Sequence, residues 1–108
     1  MSGYIVVFIT SSNEQEAEKI AKAVIESRLA ACVNIIKNVR SIYRWQGRIE
    51  DDNEALMIVK TRSDLFEELL NAVKGLHSYS VPEVIAMPII EGSGDYLKWL
   101  EKETAQKG

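Results

Sequence analysis

The sequence predicts an α+β sandwich built in the order strand, helix, strand, strand, helix, strand. Three observations carry that expectation. Tyr4 to Thr10 and Leu56 to Val59 are continuous apolar runs, rich in β-branched and aromatic residues in the first case, as in strands at the middle of a sheet. Two segments, 17–28 and 65–76, repeat apolar residues at helical spacing. Between them, the stretch on either side of Gln46-Gly47 reads as two long strands joined by a turn.

The elements follow in order. After the first strand, Ser11-Ser12-Asn13 offers helix caps: Ser12 with Gln15, or Ser11 with Glu14, has capping-box spacing, and Glu14, Glu16 and Glu18 suit the positive helix end. Ala17, Ile20, Ala21 and Val24 make the buried stripe, and the alkyl stem of Arg28 extends it. From Ala31 to Trp45 the residues Ala31, Val33, Ile35, Val39, Tyr43 and Trp45 recur with even spacing, interrupted by Lys37 and Ser41, which predicts a long strand with a bend or bulge. The returning strand, Arg48 to Thr61, is polar near the turn and apolar later, so the hairpin has a wet tip. Ser63-Asp64 starts a second helix with the stripe Leu65, Leu69, Ala72, Val73 and Leu76, and Gly75 is its expected C-terminal cap. A loop to Glu83 precedes the last strand, Val84 to Ile90, which Pro88 confines to a sheet edge or a bulge. Gly92 to Asp95 form a turn and cap for a short helix over Tyr96 to Glu103. This is the ferredoxin-like pattern, a four-stranded antiparallel sheet with its first and third strands central and two helices on one face. The opposite face, the overlong hairpin and the aromatic terminal helix then need cover, which points to a homo-oligomer.

At 108 residues, 46% hydrophobic and 27% charged, the chain suits one domain, residues 1–108, whose core needs no disulfide or metal to fold. A net charge of −3 supplies no basic field for a phosphate backbone or an anionic lipid, so nucleic acid is not an expected partner. No apolar run approaches the roughly 18 residues that span a bilayer, and the start Met1-Ser2-Gly3-Tyr4 is unlike a signal peptide. The sole cysteine, Cys32, excludes an intrachain disulfide and fits a reducing compartment, so the expected location is cytoplasmic.

For chemistry the chain is sparse. It has no nucleophile triad, Gly-rich phosphate loop, paired-Cys zinc spacing or HExxH. A soft-metal site would draw on Cys32, His77 and a carboxylate such as Glu83, from distant positions or separate subunits. Cys32 reads either as a small buried hydrophobe or as a thiolate ligand. His77 opens the stretch His77-Ser78-Tyr79-Ser80-Val81-Pro82-Glu83, a candidate site loop, where the ring either ligates a metal or bonds locally beside the helix end. Lys60 emerges at the end of an apolar run and either anchors an anion or pairs with Glu83. Trp45 and Trp99 have the character of interface anchors, with ligand stacking as the second role of Trp45.

Taken together, several stretches resemble the CutA divalent-ion tolerance proteins. They are Leu29-Ala30-Ala31-Cys32-Val33-Asn34, Ser41 through Glu50, Lys60-Thr61, His77 through Glu83, and Gly94 through Leu100, in family order along nearly the whole chain. The resemblance implies a tight homotrimer with the architecture of the PII signalling trimers, no enzymatic activity, and a role in tolerance of copper or another divalent cation. It matches His77 to the family's loop histidine and Cys32 to its second-strand cysteine. The loop departs from the usual His-Pro-Tyr-Glu, since Ser78 and Ser80 replace the Pro and Glu, and Ile9 stands where some members carry a further cysteine. Modest binding of Cu(II) or a related ion is the resulting expectation. The alternative is a PII-like signalling trimer that holds a small anionic ligand between subunits near Lys60, Tyr79 and Trp45.

Overall fold

Alternation decides the first strand. Tyr4–Ser11 (β1) buries every second residue, Ile5, Val7, Ile9 and Ser11, so one face of the strand lies fully in the core while the other is half-covered. The computed structural model describes residues 3–106; Met1 and Ser2, where the start was read as unlike a signal peptide, and the last two residues of the expected domain lie outside them. The remaining elements are Glu14–Glu26 (α1), Cys32–Trp45 (β2), Arg48–Arg62 (β3), a 3-10 turn at Ser63–Leu65, Phe66–Leu76 (α2), Val84–Pro88 (β4) and Gly94–Glu103 (α3). The sheet order is β2-β3-β1-β4 with every pair antiparallel, so the first and third strands are central and Pro88 ends an edge strand, as expected.

Helices α1 and α2 cover one face. Ala17, Ile20, Ala21 and Val24 of α1 and Leu69 and Val73 of α2 pack on Val7 and Ile9 of β1 and Met57 and Val59 of β3. Each large side chain so buried contributes roughly 1.5–3 kcal/mol through area removed from water. The second face carries Val6, Phe8, Ile36, Leu56, Ile58, Ile85 and Met87 by register, and Ile85 is still 54% exposed. Helix α3 crosses only one end of this face. There Leu100 is fully buried, Arg62 Nη2 donates to Thr104 O (3.2 Å) and the Tyr4 hydroxyl donates to Glu101 (2.5 Å).

Four local expectations are corrected. The cap of α1 is Asn13, whose Oδ1 accepts the Glu16 N–H (2.8 Å), while Ser11 stays in the strand and Ser12 bonds the Glu16 carboxylate. Arg28 lies beyond the helix with φ +62 and does not extend the stripe: the bonds Leu29 N to Val24 O and Arg28 N to Ile25 O form a Schellman end with arginine in the left-handed position. Gly75 lies inside α2 and is not its cap; the helix ends at His77, whose extended backbone donates to Val73 O. The even spacing of the second strand does not mark a single face. Between Ile36 and Val39 the register slips by one residue, with Asn38 at φ +61, so Val33 and Ile35 face the helices while Val39, Ser41, Tyr43 and Trp45 face the opposite side. Beyond that bulge the hairpin runs past both helices to a turn at Gln46-Gly47, where both φ angles are positive.

Candidate functional site

The bulge and the loop after α2 build the site together. By flipping the outer half of β2, the bulge places Tyr43 and Trp45 on the same side as Glu50 and Glu54 of β3, on the sheet face that α1 and α2 leave open. The loop brings Tyr79 and Glu83 against that side from the end of β1. These residues line a groove of about 760 Å³ together with Thr10 and Ser41. Its lining has three glutamates and no lysine or arginine; Arg48, opposite Trp45 near the turn, is not part of it.

His77 anchors the loop. Its Nε2 bonds Thr10 O (2.7 Å) and its Nδ1 bonds the Tyr79 N–H (3.0 Å). A carbonyl only accepts and an amide N–H only donates, so the ring is the neutral Nε2–H tautomer with both nitrogens engaged. The His77 and Tyr79 rings pack with centroids 4.8 Å apart. Glu16 of α1 completes the anchor, accepting from Ser12 N (3.0 Å) and Ser78 N (2.7 Å). Partial burial works against its charge, but these bonds from Ser12 and Ser78 outweigh it and hold the carboxyl at about 2.

In the groove, the Tyr79 hydroxyl donates to Glu54 Oε2 (2.7 Å), and the Tyr43 hydroxyl donates to Asp52 Oδ2 (2.6 Å). Burial, then the bonded and charged Glu54, push the Tyr79 hydroxyl well above its ordinary value. The bond to Asp52, then burial and the charges of Asp52, Glu54 and Glu50, push Tyr43 up to about 12. Both phenols are therefore fixed as donors to carboxylates.

Of the residues singled out from sequence, Trp45, Tyr79 and Glu83 meet in the groove and His77 lies behind it. Cys32 and Lys60 do not join them. They pair across β2 and β3 at the α3 end of the sheet, in register with Val6, four residues or about 13 Å along β1 from the Thr10 that His77 touches. One subunit thus does not gather Cys32, His77 and Glu83, and the described residues contain no cluster of three potential ligands. Lys60 does not pair with Glu83 either; its ammonium bonds the Asn34 side chain, which also receives a long contact from Cys32 Sγ (3.9 Å). The sequence reading passed over Glu16, Glu50, Glu54 and Tyr43 as site residues. Glu54 carried the only legible signal, an acid one residue before the apolar stretch that begins at Ala55 in the returning strand.

The profile described as CutA1 divalent ion tolerance protein matches residues 5–103. The Divalent-cation tolerance protein CutA of Thermus thermophilus is 52% identical over 99 residues, covering 92% of this chain and 96% of that one. A solved structure of the divalent cation tolerance protein from Thermus thermophilus superposes with a TM-score of 0.92 at 51% identity, covering 94% of this chain and 99% of the other. Protein CutA, chloroplastic, of Arabidopsis thaliana is 46% identical over 100 residues, which are 93% of this chain but 55% of that longer relative. Sequence and architecture agree along nearly the whole described length, and the chain belongs to the CutA1 divalent ion tolerance protein family.

Proposed function

We propose that the chain is a non-enzymatic homotrimer that serves divalent-cation tolerance by binding Cu(II) or a related divalent ion weakly. Membership of a tolerance family supports the process. The observation that carries the binding reading is the groove of carboxylates. Glu83 is exposed at its rim with no hydrogen bond or ion pair among the described residues, and such oxygens suit divalent cations. His77 would add a nitrogen ligand only by releasing the Tyr79 N–H from Nδ1, and that competition accounts for weak affinity. Cys32 would join only from a neighbouring subunit.

Assembly into a trimer is supported by the apolar sheet face that α3 leaves open and by the hairpin, where Ile42 and Ile49 are exposed beyond the helices. The groove gives no support to the anion-sensing alternative, because Lys60, its intended anchor, lies at the other end of the sheet. A cytoplasmic location rests on the single unpaired thiol, while a relative with a chloroplastic name places the same fold in another compartment. No helix among the described residues is long and apolar enough to cross a membrane.

Native mass spectrometry with and without Cu(II), followed by calorimetry on His77→Ala, tests this reading. The expected result is a trimer mass that gains copper, with affinity reduced in the variant. A metal-free trimer at copper excess overturns the binding reading, and unchanged affinity in His77→Ala removes that residue from the site.

A further inference from the structure

The loop after α2 is tied down in its first half and free in its second. His77, Ser78 and Tyr79 each place their backbone N–H on a partner: Val73 O (2.9 Å), the Glu16 carboxylate (2.7 Å) and His77 Nδ1 (3.0 Å). The Tyr79 hydroxyl adds a fourth bond, to Glu54 Oε2 (2.7 Å). Beyond Tyr79, no hydrogen bond holds Ser80 or Val81 among the described residues, and both are exposed.

Tyr79 is where these ties meet the imidazole. With the Nε2–H spent on Thr10 O, Nδ1 carries the one lone pair the ring has to offer, and the Tyr79 N–H covers it. The phenol end of the same residue is fixed on the buried Glu54 carboxylate, and its ring packs on the imidazole with centroids 4.8 Å apart. The amide cannot leave Nδ1 without residue 79 turning, so that movement pulls on the bond to Glu54 and on the neighbouring bond from Ser78 to Glu16.

We propose that Tyr79 is an internal lock on His77: the Nδ1 lone pair is available only in a minor open state of the loop, and the bonds from the Tyr79 hydroxyl to Glu54 and from the Ser78 N–H to Glu16 set how rarely that state is visited. All these contacts lie within one chain, so the lock does not depend on the groove staying open between subunits. The inference deepens the metal reading, because that lone pair is the one a divalent ion needs from His77, and apparent affinity scales with the open fraction. It rests on that reading for affinity alone.

The chain has a single histidine, so carbethoxylation of His77 by diethyl pyrocarbonate, at fixed pH on the untagged full-length protein, reports the availability of the lone pair with no metal present. Tyr79→Phe removes the hydroxyl bond and keeps the amide. Its reaction is expected to run about fivefold faster than in the wild type, the order by which one lost hydrogen bond shifts the balance toward the open state. Glu16→Gln is expected to react faster as well, and Tyr4→Phe, which loses a tyrosine bond to Glu101 at the α3 end, at the wild-type rate. Calorimetry with Cu(II) on the same proteins should show affinity rising by the same factor in Tyr79→Phe. Equal carbethoxylation rates in Tyr79→Phe and the wild type overturn the lock, as does a wild-type rate equal to that of a free histidine. Faster carbethoxylation with no copper bound by either protein supports the lock and overturns the metal reading alone. Copper affinity that stays level or falls while carbethoxylation quickens overturns the lock as the limit on affinity.

Discussion

The two ends of the open sheet face differ in what covers them. At one end α3 lies across the strands: Leu100 is buried, Arg62 and Arg28 donate to the carbonyls of Thr104 and Glu103, and Lys60 is held by Asn34. Among the described residues, Arg62 Nε is the one buried side-chain nitrogen or oxygen without a partner. At the other end no helix arrives, and carboxylates face a groove with tyrosines as their bonded neighbours. Residue chemistry alone ranks Cys32 and Lys60 above Glu54 as functional groups. Placement reverses that order, because Lys60 is held by Asn34 with Cys32 half-buried beside it, about 13 Å along the sheet from the groove.

The largest expected effect comes from removing that cover. Leu100 is the one buried residue within α3, and Leu100→Ala should destabilise the protein by about 2–5 kcal/mol through lost packing and a residual cavity. Urea unfolding at fixed protein concentration measures the change. If α3 shields Cys32, its reaction with a thiol reagent should also quicken in the folded variant. Unchanged stability and labelling would show that α3 does not hold that end closed.

A smaller effect tests the groove end through its anchor. Glu16 has a folded value of about 2 against an ordinary 4.5, so its stabilisation is fully present above pH 4.5 and is lost as pH falls toward 2. Glu16→Gln loses an acceptor for either Ser12 or Ser78, with an expected cost at neutral pH of roughly 1–2 kcal/mol, reduced from the full linkage value because solvent reaches this group. The variant should lose less stability than the wild type between pH 4.5 and 2. Parallel pH profiles of the unfolding midpoint would show that Glu16 does not tie α1 to the loop.

Much of this contrast was legible in the residues, and what was hidden has a common cause. The stripe of α1 and the central placing of β1 and β3 follow from apolar periodicity, which is a local property of the chain. The interruption at Lys37 signals a bend or bulge in the second strand, yet not that the bulge transfers Val39, Tyr43 and Trp45 to the other face and thereby creates the groove. Parity along a strand is set by pairing with the partner strand, so a sequence that reads as evenly spaced conceals the flip. Glu54 and Glu16 were hidden for a related reason: their partners, Tyr79 and Ser78, lie 25 and 62 residues away. The cap of α1 was displaced by one residue because Ser11, Ser12 and Asn13 are all good caps and only the end of β1 selects among them.

The finest comparison lies within one residue, Arg28, which belongs to the α3 end twice over. Its backbone ends α1 in the left-handed region at φ +62, a position where glycine avoids a strain of about 1 kcal/mol. Its side chain reaches Glu103, donating from Nη1 to the carbonyl (3.1 Å), with the carboxylate 3.8 Å away. The hydrogen bond is worth about 1 kcal/mol, and the partly exposed ion pair adds little. Arg28→Gly therefore relieves the backbone while losing the tie, and its net change should lie within about 0.5 kcal/mol of zero. Arg28→Ala loses the same tie but keeps a Cβ in the left-handed position, so it should be less stable than the glycine variant by about 1 kcal/mol. Equal unfolding midpoints for the two variants would place the whole role of Arg28 in its contact with α3 and none in the turn that ends α1.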